Sequence, residues 1–307
     1  MMSIALVIPD RKLDALVEKL NAVLPGVLIQ QWPNYSAPEL VQMAVVWKQP
    51  QGSLAALSNL KSLQSFGAGV DSIVSDPTLP DLPLSRIVDP ALASSMVNYL
   101  AGIVLHYQLK LDVFQRQQQQ QLWKPKSPRL LKHICVLGLG ELGQAAAQYF
   151  LDQGYLVSGW SRSVKQLEGV HCYCGELGFK QAVADADVVI CLIPLTAQTS
   201  NFLNTESFAA FKQGAIFINV ARGAIVDDAA LLSALDSGQL QAACLDVFRE
   251  EPLPITDPYW QHPAVLVTPH CSAVTNVDTA IHQIVENYQR TLNGLPLMHL
   301  VDRERGY

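Results

Sequence analysis

Arg222, Glu251 and His270 are the residues of this sequence whose types and placement suit acid–base chemistry. Each follows an apolar run that reads as a strand: Ala215 to Val220, Ala242 to Val247 and Val265 to Thr268. Pro252 follows Glu251 and Pro269 precedes His270, so the backbone is stiffened beside two of the three. A planar cation, a carboxylate and an imidazole together fit the reduction of a carbonyl by hydride transfer. The developing alkoxide needs a proton, and histidine changes its charge near neutral pH. A neighbouring carboxylate favours the imidazolium, which is the proton-donating form. An arginine fork grips a substrate carboxylate bidentately and polarises the adjacent carbonyl. A lone histidine is more often a surface or hydrogen-bonded residue. Three such residues at three strand ends should face one crevice.

The hydride needs a carrier, and one stretch provides for it. His133 to Leu137 is a short apolar run that ends in Gly138-x-Gly140-x-x-Gly143 and passes straight into a helical stretch, Gln144 to Phe150. Glycines also mark ordinary turns, but strand, glycines and helix in this order form the fingerprint of a dinucleotide pyrophosphate site. Gly138 permits the tight turn, Gly140 lets the backbone approach the phosphates, and Gly143 lets helix and strand pack closely. The helix N-terminus adds unpaired N–H groups and a positive dipole end.

Tyr155 to Trp160 reads as the next strand. A carboxylate for the ribose 2′-hydroxyl is expected about 20 residues after the glycines, and none stands there. Ser161, Arg162, Ser163 and Lys165 stand there instead. A hydroxyl and two cations suit a 2′-phosphate through charge-assisted hydrogen bonds and gain little from an uncharged hydroxyl. NADP is therefore favoured over NAD, with a solvated basic loop as the plain alternative.

These residues need a scaffold of alternating strands and helices. Ile4 to Ile8 reads as a buried strand, Lys12 to Leu20 as a helix, and Val27 to Ile29, Met43 to Trp47 and Leu63 to Phe66 as further strands. The last ends in Gly67-Ala68-Gly69-Val70-Asp71, whose small residues either offer backbone N–H groups to an anion or form a plain turn. Met96, Leu100, Val104, Tyr107 and Leu111 predict one long helix that runs into the glutamine-rich tract Gln115 to Gln121. That tract reads as a solvated helix end, and Trp123 beyond it is the residue there best placed to touch a partner subunit. Val188 to Ile193 adds another strand. Val277, Ile281, Ile284, Tyr288 and Leu292 mark a second long helix, stopped by Gly294 and Pro296. The expectation is an α/β protein of two domains: a doubly wound Rossmann cofactor domain over 98–283, and a discontinuous domain over 1–97 and 284–307.

Composition narrows the function classes. A chain of 307 residues, half of them apolar, predicts two domains with sizeable cores. The net charge of −6 and the lack of a Lys/Arg cluster argue against a nucleic-acid surface. The six cysteines are scattered and mostly sit in apolar runs, which fits a reducing compartment. Cys172-Tyr173-Cys174 lacks a second pair at zinc-ligand spacing, so no metal site is expected. Ile4 to Ile8 is too short for a signal core and leads into Pro9-Asp10-Arg11-Lys12, and Met96 to Leu105 is too short to span a bilayer. A cytoplasmic protein without membrane association is expected.

Gly138-x-Gly140-x-x-Gly143, Asn219-Val220-Ala221-Arg222-Gly223, Asp246-Val247-Phe248-Arg249-Glu250-Glu251-Pro252-Leu253 and Thr268-Pro269-His270 resemble the D-isomer-specific 2-hydroxyacid dehydrogenase family. The resemblance covers nearly the whole chain. Phe66 to Asp71, Trp160 to Lys165 and the tail Val301 to Tyr307 are most similar to its glyoxylate/hydroxypyruvate reductase A branch. What this implies is a homodimer, a flavodoxin-like substrate domain, and NADPH-dependent reduction of glyoxylate or hydroxypyruvate to the D-2-hydroxy acid. His270 would be the acid/base, Glu251 its partner and Arg222 the carboxylate and carbonyl anchor. Ala68 and Gly69 would hold the carboxylate by their N–H groups, and Trp47 would line the substrate pocket. Gly138, Gly140, Glu141, Leu142 and Gly143, then Pro194, Leu195 and Thr196, and Asp246 near the nicotinamide, would contact the cofactor. Asn98 and Ser272 depart from the pattern, where Glu and a smaller Ala or Gly are common. An NAD-preferring dehydrogenase of a larger substrate and a dinucleotide-sensing interaction protein are the competing readings. A formate dehydrogenase would pair its histidine with Gln instead of Glu251.

Overall fold

The computed structural model describes residues 2–9 and 11–306. Met1, Asp10 and Tyr307, the last closing the tail motif, lie outside the described residues. The chain divides into two units, Met1–Leu92 with Thr275–Tyr307, and Ala93–Val274. The first contains β1 (Ser3–Val7), α1 (Asp14–Val23), β2 (Leu28–Gln31), β3 (Val41–Val46), β4 (Ser62–Ser65), α2 (Asp71–Val74) and β5 (Leu84–Ser85). Helix α3 (Pro90–Gln108) leads into the second, which continues with α4 (Leu111–Gln119), β6 (His133–Leu137), α5 (Glu141–Asp152), β7 (Leu156–Ser161), β8 (His171–Cys174), α6 (Gly175–Val183) and β9 (Val188–Cys191). It closes with α7 (Thr205–Ala209), β10 (Ala215–Asn219), α8 (Asp228–Asp236), β11 (Leu240–Leu245) and β12 (Val265–Val267) before α9 (Val277–Leu292) returns to the first.

The first unit is a five-stranded parallel sheet of order β2-β1-β3-β4-β5, the flavodoxin-like arrangement. Strand β1 is buried along its whole length and β3 nearly so, as strands covered on both faces must be. The apolar face of α9 packs Ile281, Ile284 and Tyr288 against Leu6, Met43 and Val45. A buried polar cluster keys the returning segment in place. Asn287 donates to Gln64 Oε1 at 2.7 Å and accepts from the Met298 amide at 2.8 Å, while Thr291 and Ser62 share a hydrogen bond of 2.6 Å. Because Gln64 and Ser62 precede 92 in the chain, these bonds tie the segment from Thr275 onward to the first unit. The structural division therefore falls ahead of both the 97/98 and the 283/284 boundaries read from helix positions.

The second unit is a seven-stranded parallel sheet of order β12-β11-β10-β9-β6-β7-β8. Strand order reverses between β6 and β9, the switch point where doubly wound sheets bind ligands at their carboxyl ends. Two features differ from the reading of the sequence. The short strands β5 and β8 carry no alternation long enough to announce them, and they form by pairing with β4 and β7. The long helix expected through Leu111 breaks after Gln108. Lys110 turns into the left-handed region at φ 61°, and the Arg129 guanidinium bonds both the Tyr107 carbonyl and the Asp112 carboxylate, so a tertiary partner closes the turn. Among the described residues no helix is long and apolar enough to cross a membrane.

Candidate active site

The site begins at the glycine loop after β6. Gly138 has φ 101°, and a Cβ there would lie 2.6 Å from the Leu192 carbonyl oxygen, so only glycine makes this turn. A Cβ on Gly143 would fall 1.8 Å from the Gly138 carbonyl oxygen, which rules out a side chain where α5 starts against the loop. Gly140 differs. A Cβ there would meet nothing within 4 Å, and as N-cap of α5 it supplies no side chain to the first-turn N–H groups. Open space above uncapped helical amides, next to exposed Glu141 and half-buried Leu142, is the environment a pyrophosphate fits.

Ser161, the last residue of β7, is 8% exposed and its hydroxyl donates to the Ser163 carbonyl at 2.7 Å, holding the turn that presents Arg162, Ser163 and Lys165 on the surface. Beyond β9, Thr199 braces the Pro194-Leu195-Thr196 loop. Its hydroxyl donates to the Pro194 carbonyl and accepts from the Thr196 amide, both at 2.7 Å. All three segments lie at the carboxyl ends of neighbouring strands.

Arg222, Glu251 and His270 follow β10, β11 and β12, which are adjacent in the sheet. His270 Nδ1 lies 2.8 Å from Glu251 Oε2, and Glu251 Oε1 accepts from the Phe248 amide at 3.1 Å. The carboxylate is thus oriented by its own loop and in turn orients the imidazole. With Nδ1 donating to Glu251, Nε2 is the nitrogen left to exchange a proton. Arg222 is half-buried, and its Nη1 donates to the Ala221 carbonyl at 2.7 Å. Asn219 shapes that turn by accepting from the Ala221 amide at 3.1 Å and donating to the Arg222 carbonyl at 3.0 Å. A Cβ on the next residue, Gly223, would lie 2.1 Å from the Phe248 carbonyl carbon. That close approach seats the Arg222 turn directly on the loop that carries Glu251.

Asp246 directly follows β11. It is fully buried, and its carboxylate is taken up by the loop that ends in the histidine: Oδ1 accepts from Thr268 Oγ1 at 2.6 Å and the Cys271 amide at 2.9 Å, and Oδ2 from the Ser272 amide at 2.8 Å. Its oxygens serve the backbone around His270, so its bearing on a nicotinamide would pass through that loop. Ser272, one of the two departures from the family pattern, is buried at the end of this set. Asn98, the other, is exposed on α3.

Tyr99, Cys271 and Gly223 take parts that no neighbouring residue announces. Thr268 gives its proton to Asp246 and so accepts from the Tyr99 hydroxyl, 2.6 Å away on α3. Burial, with Cys244 alongside, pushes the Tyr99 phenol far above its ordinary range, so it stays a donor. Burial and the Asp246 charge also raise Cys271, leaving it a thiol and a poor nucleophile beside the histidine. Gly223 is the third. Only the fold brings α3 or the Phe248 backbone to these positions.

In the first unit, Trp47 directly follows β3 and its ring lies against Gly67, where a Cβ would fall 2.3 Å from Trp47 Cζ3. Ser65 Oγ accepts from the Gly67 amide at 3.2 Å and donates to the Gly69 carbonyl at 3.0 Å, tying the loop after β4 into a fixed turn. The Ala68 and Gly69 amides donate to no group among the described residues. Cys172 and Cys174 lie on β8 as free cysteines.

Against known proteins, a family model described as D-isomer specific 2-hydroxyacid dehydrogenase, NAD binding domain, matches residues 101–272. The chain is 39% identical over 298 residues to a glyoxylate/hydroxypyruvate reductase A of Yersinia enterocolitica, covering 94% of both chains. It is similar to the crystal structure of a D-isomer specific 2-hydroxyacid dehydrogenase from Xanthobacter autotrophicus Py2 in complex with NADPH and MES, with a TM-score of 0.95, 39% identity and coverage of 100% of this chain and 99% of that one. It is also similar to an NADPH-dependent glyoxylate/hydroxypyruvate reductase of Sinorhizobium meliloti in complex with NADP and sulfate, with a TM-score of 0.92, 31% identity and full coverage of both chains.

Proposed function

The chain belongs to the D-isomer-specific 2-hydroxyacid dehydrogenase family, and we propose that it reduces glyoxylate or hydroxypyruvate to the D-2-hydroxy acid with NADPH, His270 giving the proton. The 2.8 Å pair between His270 Nδ1 and Glu251 carries this reading, because it leaves Nε2 of a carboxylate-backed imidazolium as a proton donor. The names of the relatives, and the NADPH and NADP bound in similar structures, support the substrate class and the cofactor.

NADPH supplies the hydride when bound. Gly138, Gly140, Glu141, Leu142 and Gly143 would receive its pyrophosphate, and Ser161, Arg162, Ser163 and Lys165 its 2′-phosphate. Pro194, Leu195 and Thr196 would border its ribose, with Asp246 holding the loop behind the nicotinamide. The chain's own work is to position and to move protons. Arg222 offers a fork for the substrate carboxylate and polarises the neighbouring carbonyl, which lowers the barrier as negative charge grows on oxygen. In the first unit, Ala68 and Gly69 offer two unused amides suited to a carboxylate, and Trp47 supplies an apolar wall beside them. His270 gives up its Nε2 proton to the alkoxide, and Glu251 stabilises the cation before transfer. The neutral imidazole left behind takes a proton from water.

The assembly is proposed to be a cytoplasmic homodimer. Trp123 is 98% exposed and Leu130 81%, two apolar side chains better suited to a subunit interface than to water.

The test is steady-state NADPH oxidation with glyoxylate, hydroxypyruvate and pyruvate, run in parallel with NADH. Turnover of the first two with a preference for NADPH is expected. Tight NADPH binding with no turnover of any of them would replace this reading with that of a dinucleotide-sensing protein.

A further inference from the structure

Arg11 is a guanidinium that the fold leaves unused. It follows β1, and its Cζ lies 5.6 Å from the centre of the Trp47 ring and 5.7 Å from that of Phe66. Arg116, Arg129, Arg249, Arg290, Arg303 and Arg305 each pair with a carboxylate. Arg11 pairs with none and donates no hydrogen bond among the described residues, although acidic residues outnumber basic ones 27 to 21. Two aromatic rings hold its position while its N–H donors remain exposed.

Its location gives those donors a use. In the first sheet β2 and β3 flank β1 on opposite sides, so strand order reverses between β1 and β3. Open α/β sheets take ligands at the carboxyl ends of strands at such a reversal. Arg11 lies beyond β1, Trp47 beyond β3, and the loop with the two unused amides of Ala68 and Gly69 beyond β4. One indole touches both Arg11 and Gly67, so guanidinium and amides share a neighbourhood. The amides suffice for one carboxylate. A separate fork of donors beside them suits a second acceptor on the same small molecule.

Resting on the function proposed above, we infer that Arg11 determines specificity by binding the polar substituent on the third carbon of the 2-oxo acid. Hydroxypyruvate presents a hydroxyl there, pyruvate only a methyl group, and glyoxylate has no third carbon. A hydroxyl at that position accepts a charge-assisted hydrogen bond from the fork, worth about 1.5–3 kcal/mol, which a methyl group cannot accept.

The experiment compares kcat/KM for these three substrates in the wild type, Arg11→Gln and Arg11→Lys, with NADPH saturating. Arg11→Gln is expected to lower the ratio of hydroxypyruvate to pyruvate about tenfold or more, chiefly through KM, with glyoxylate within about twofold of wild type. Arg11→Lys, which keeps the charge and loses the fork, should fall between. An unchanged ratio, or an equal loss on all three substrates, overturns the assignment. If Arg11→Gln does not fold, by its melting curve, a wild-type ratio in Arg11→Lys overturns it too. Failure of the parent reading shows differently, as a wild type that turns over none of the three.

Discussion

Asp246 and His270 are joined through both backbone and side chain. The Asp246 carbonyl accepts from the His270 amide at 2.9 Å, while its carboxylate takes the next two amides, those of Cys271 and Ser272. His270 itself sits at φ 51°, a left-handed conformation that costs a non-glycine residue on the order of 1 kcal/mol or more. A buried carboxylate with its acceptors filled by this loop over-determines that conformation, and the imidazole inherits its direction from it.

Asp246→Asn keeps the shape but turns one acceptor into a donor facing donors. Each hydrogen bond to a charged acceptor is worth about 1.5–3 kcal/mol, so a fall in melting temperature of several degrees is expected. Turnover should drop while the KM for NADPH changes less, because the glycine loop is untouched. Wild-type turnover in a folded variant, measured beside the melting curve, would remove Asp246 from the support of His270.

Glu251→Gln tests the ion pair. The carboxylate 2.8 Å from Nδ1 fixes the ring and faces its positive charge. The amide keeps the shape and an acceptor but removes the charge, so kcat should fall at least about tenfold while the KM for NADPH stays near wild type. Steady-state rates read this directly, and a wild-type kcat would leave Glu251 with a purely steric part.

Gly140→Ala and Gly143→Ala should separate binding from folding. Gly140 has φ −79° and open space for a methyl group, so the protein should melt as wild type while the KM for NADPH rises at least about tenfold through lost approach to the phosphates. Gly143→Ala forces a methyl group onto the Gly138 carbonyl and should lower stability by about 1–3 kcal/mol. Equal melting temperatures for the two variants would contradict this division.

Arg162→Ala should erase much of the preference for NADPH while leaving turnover with NADH nearly unchanged, since a fork lost from a phosphate costs nothing where there is no phosphate. Steady-state rates with both cofactors decide it. A preference unaltered by the substitution would move 2′-phosphate recognition to other groups.

Local order made much of this protein readable from its residues. Strand, glycine triplet and helix follow one another directly around Gly138 to Gly143, and the period of α9 from Val277 to Leu292 is set by one face that must be buried. Arg222, Glu251 and His270 were visible because each stands just past a run of apolar residues. Contacts between distant segments had to wait for the fold. Nothing near Lys110 announces the helix break at which Arg129 bonds the Tyr107 carbonyl, and nothing in Gly223 announces a Phe248 backbone so close that a Cβ would fall 2.1 Å from it. Nor does Tyr99 reveal a partner in Thr268, or Arg11 the two rings that hold it. The sequence by itself determined the order of the elements and the chemistry available at their ends, because propensity and periodicity act between near neighbours. Only the tertiary structure decided how those groups are aimed, because aim depends on hydrogen bonds and close approaches between residues far apart in the chain.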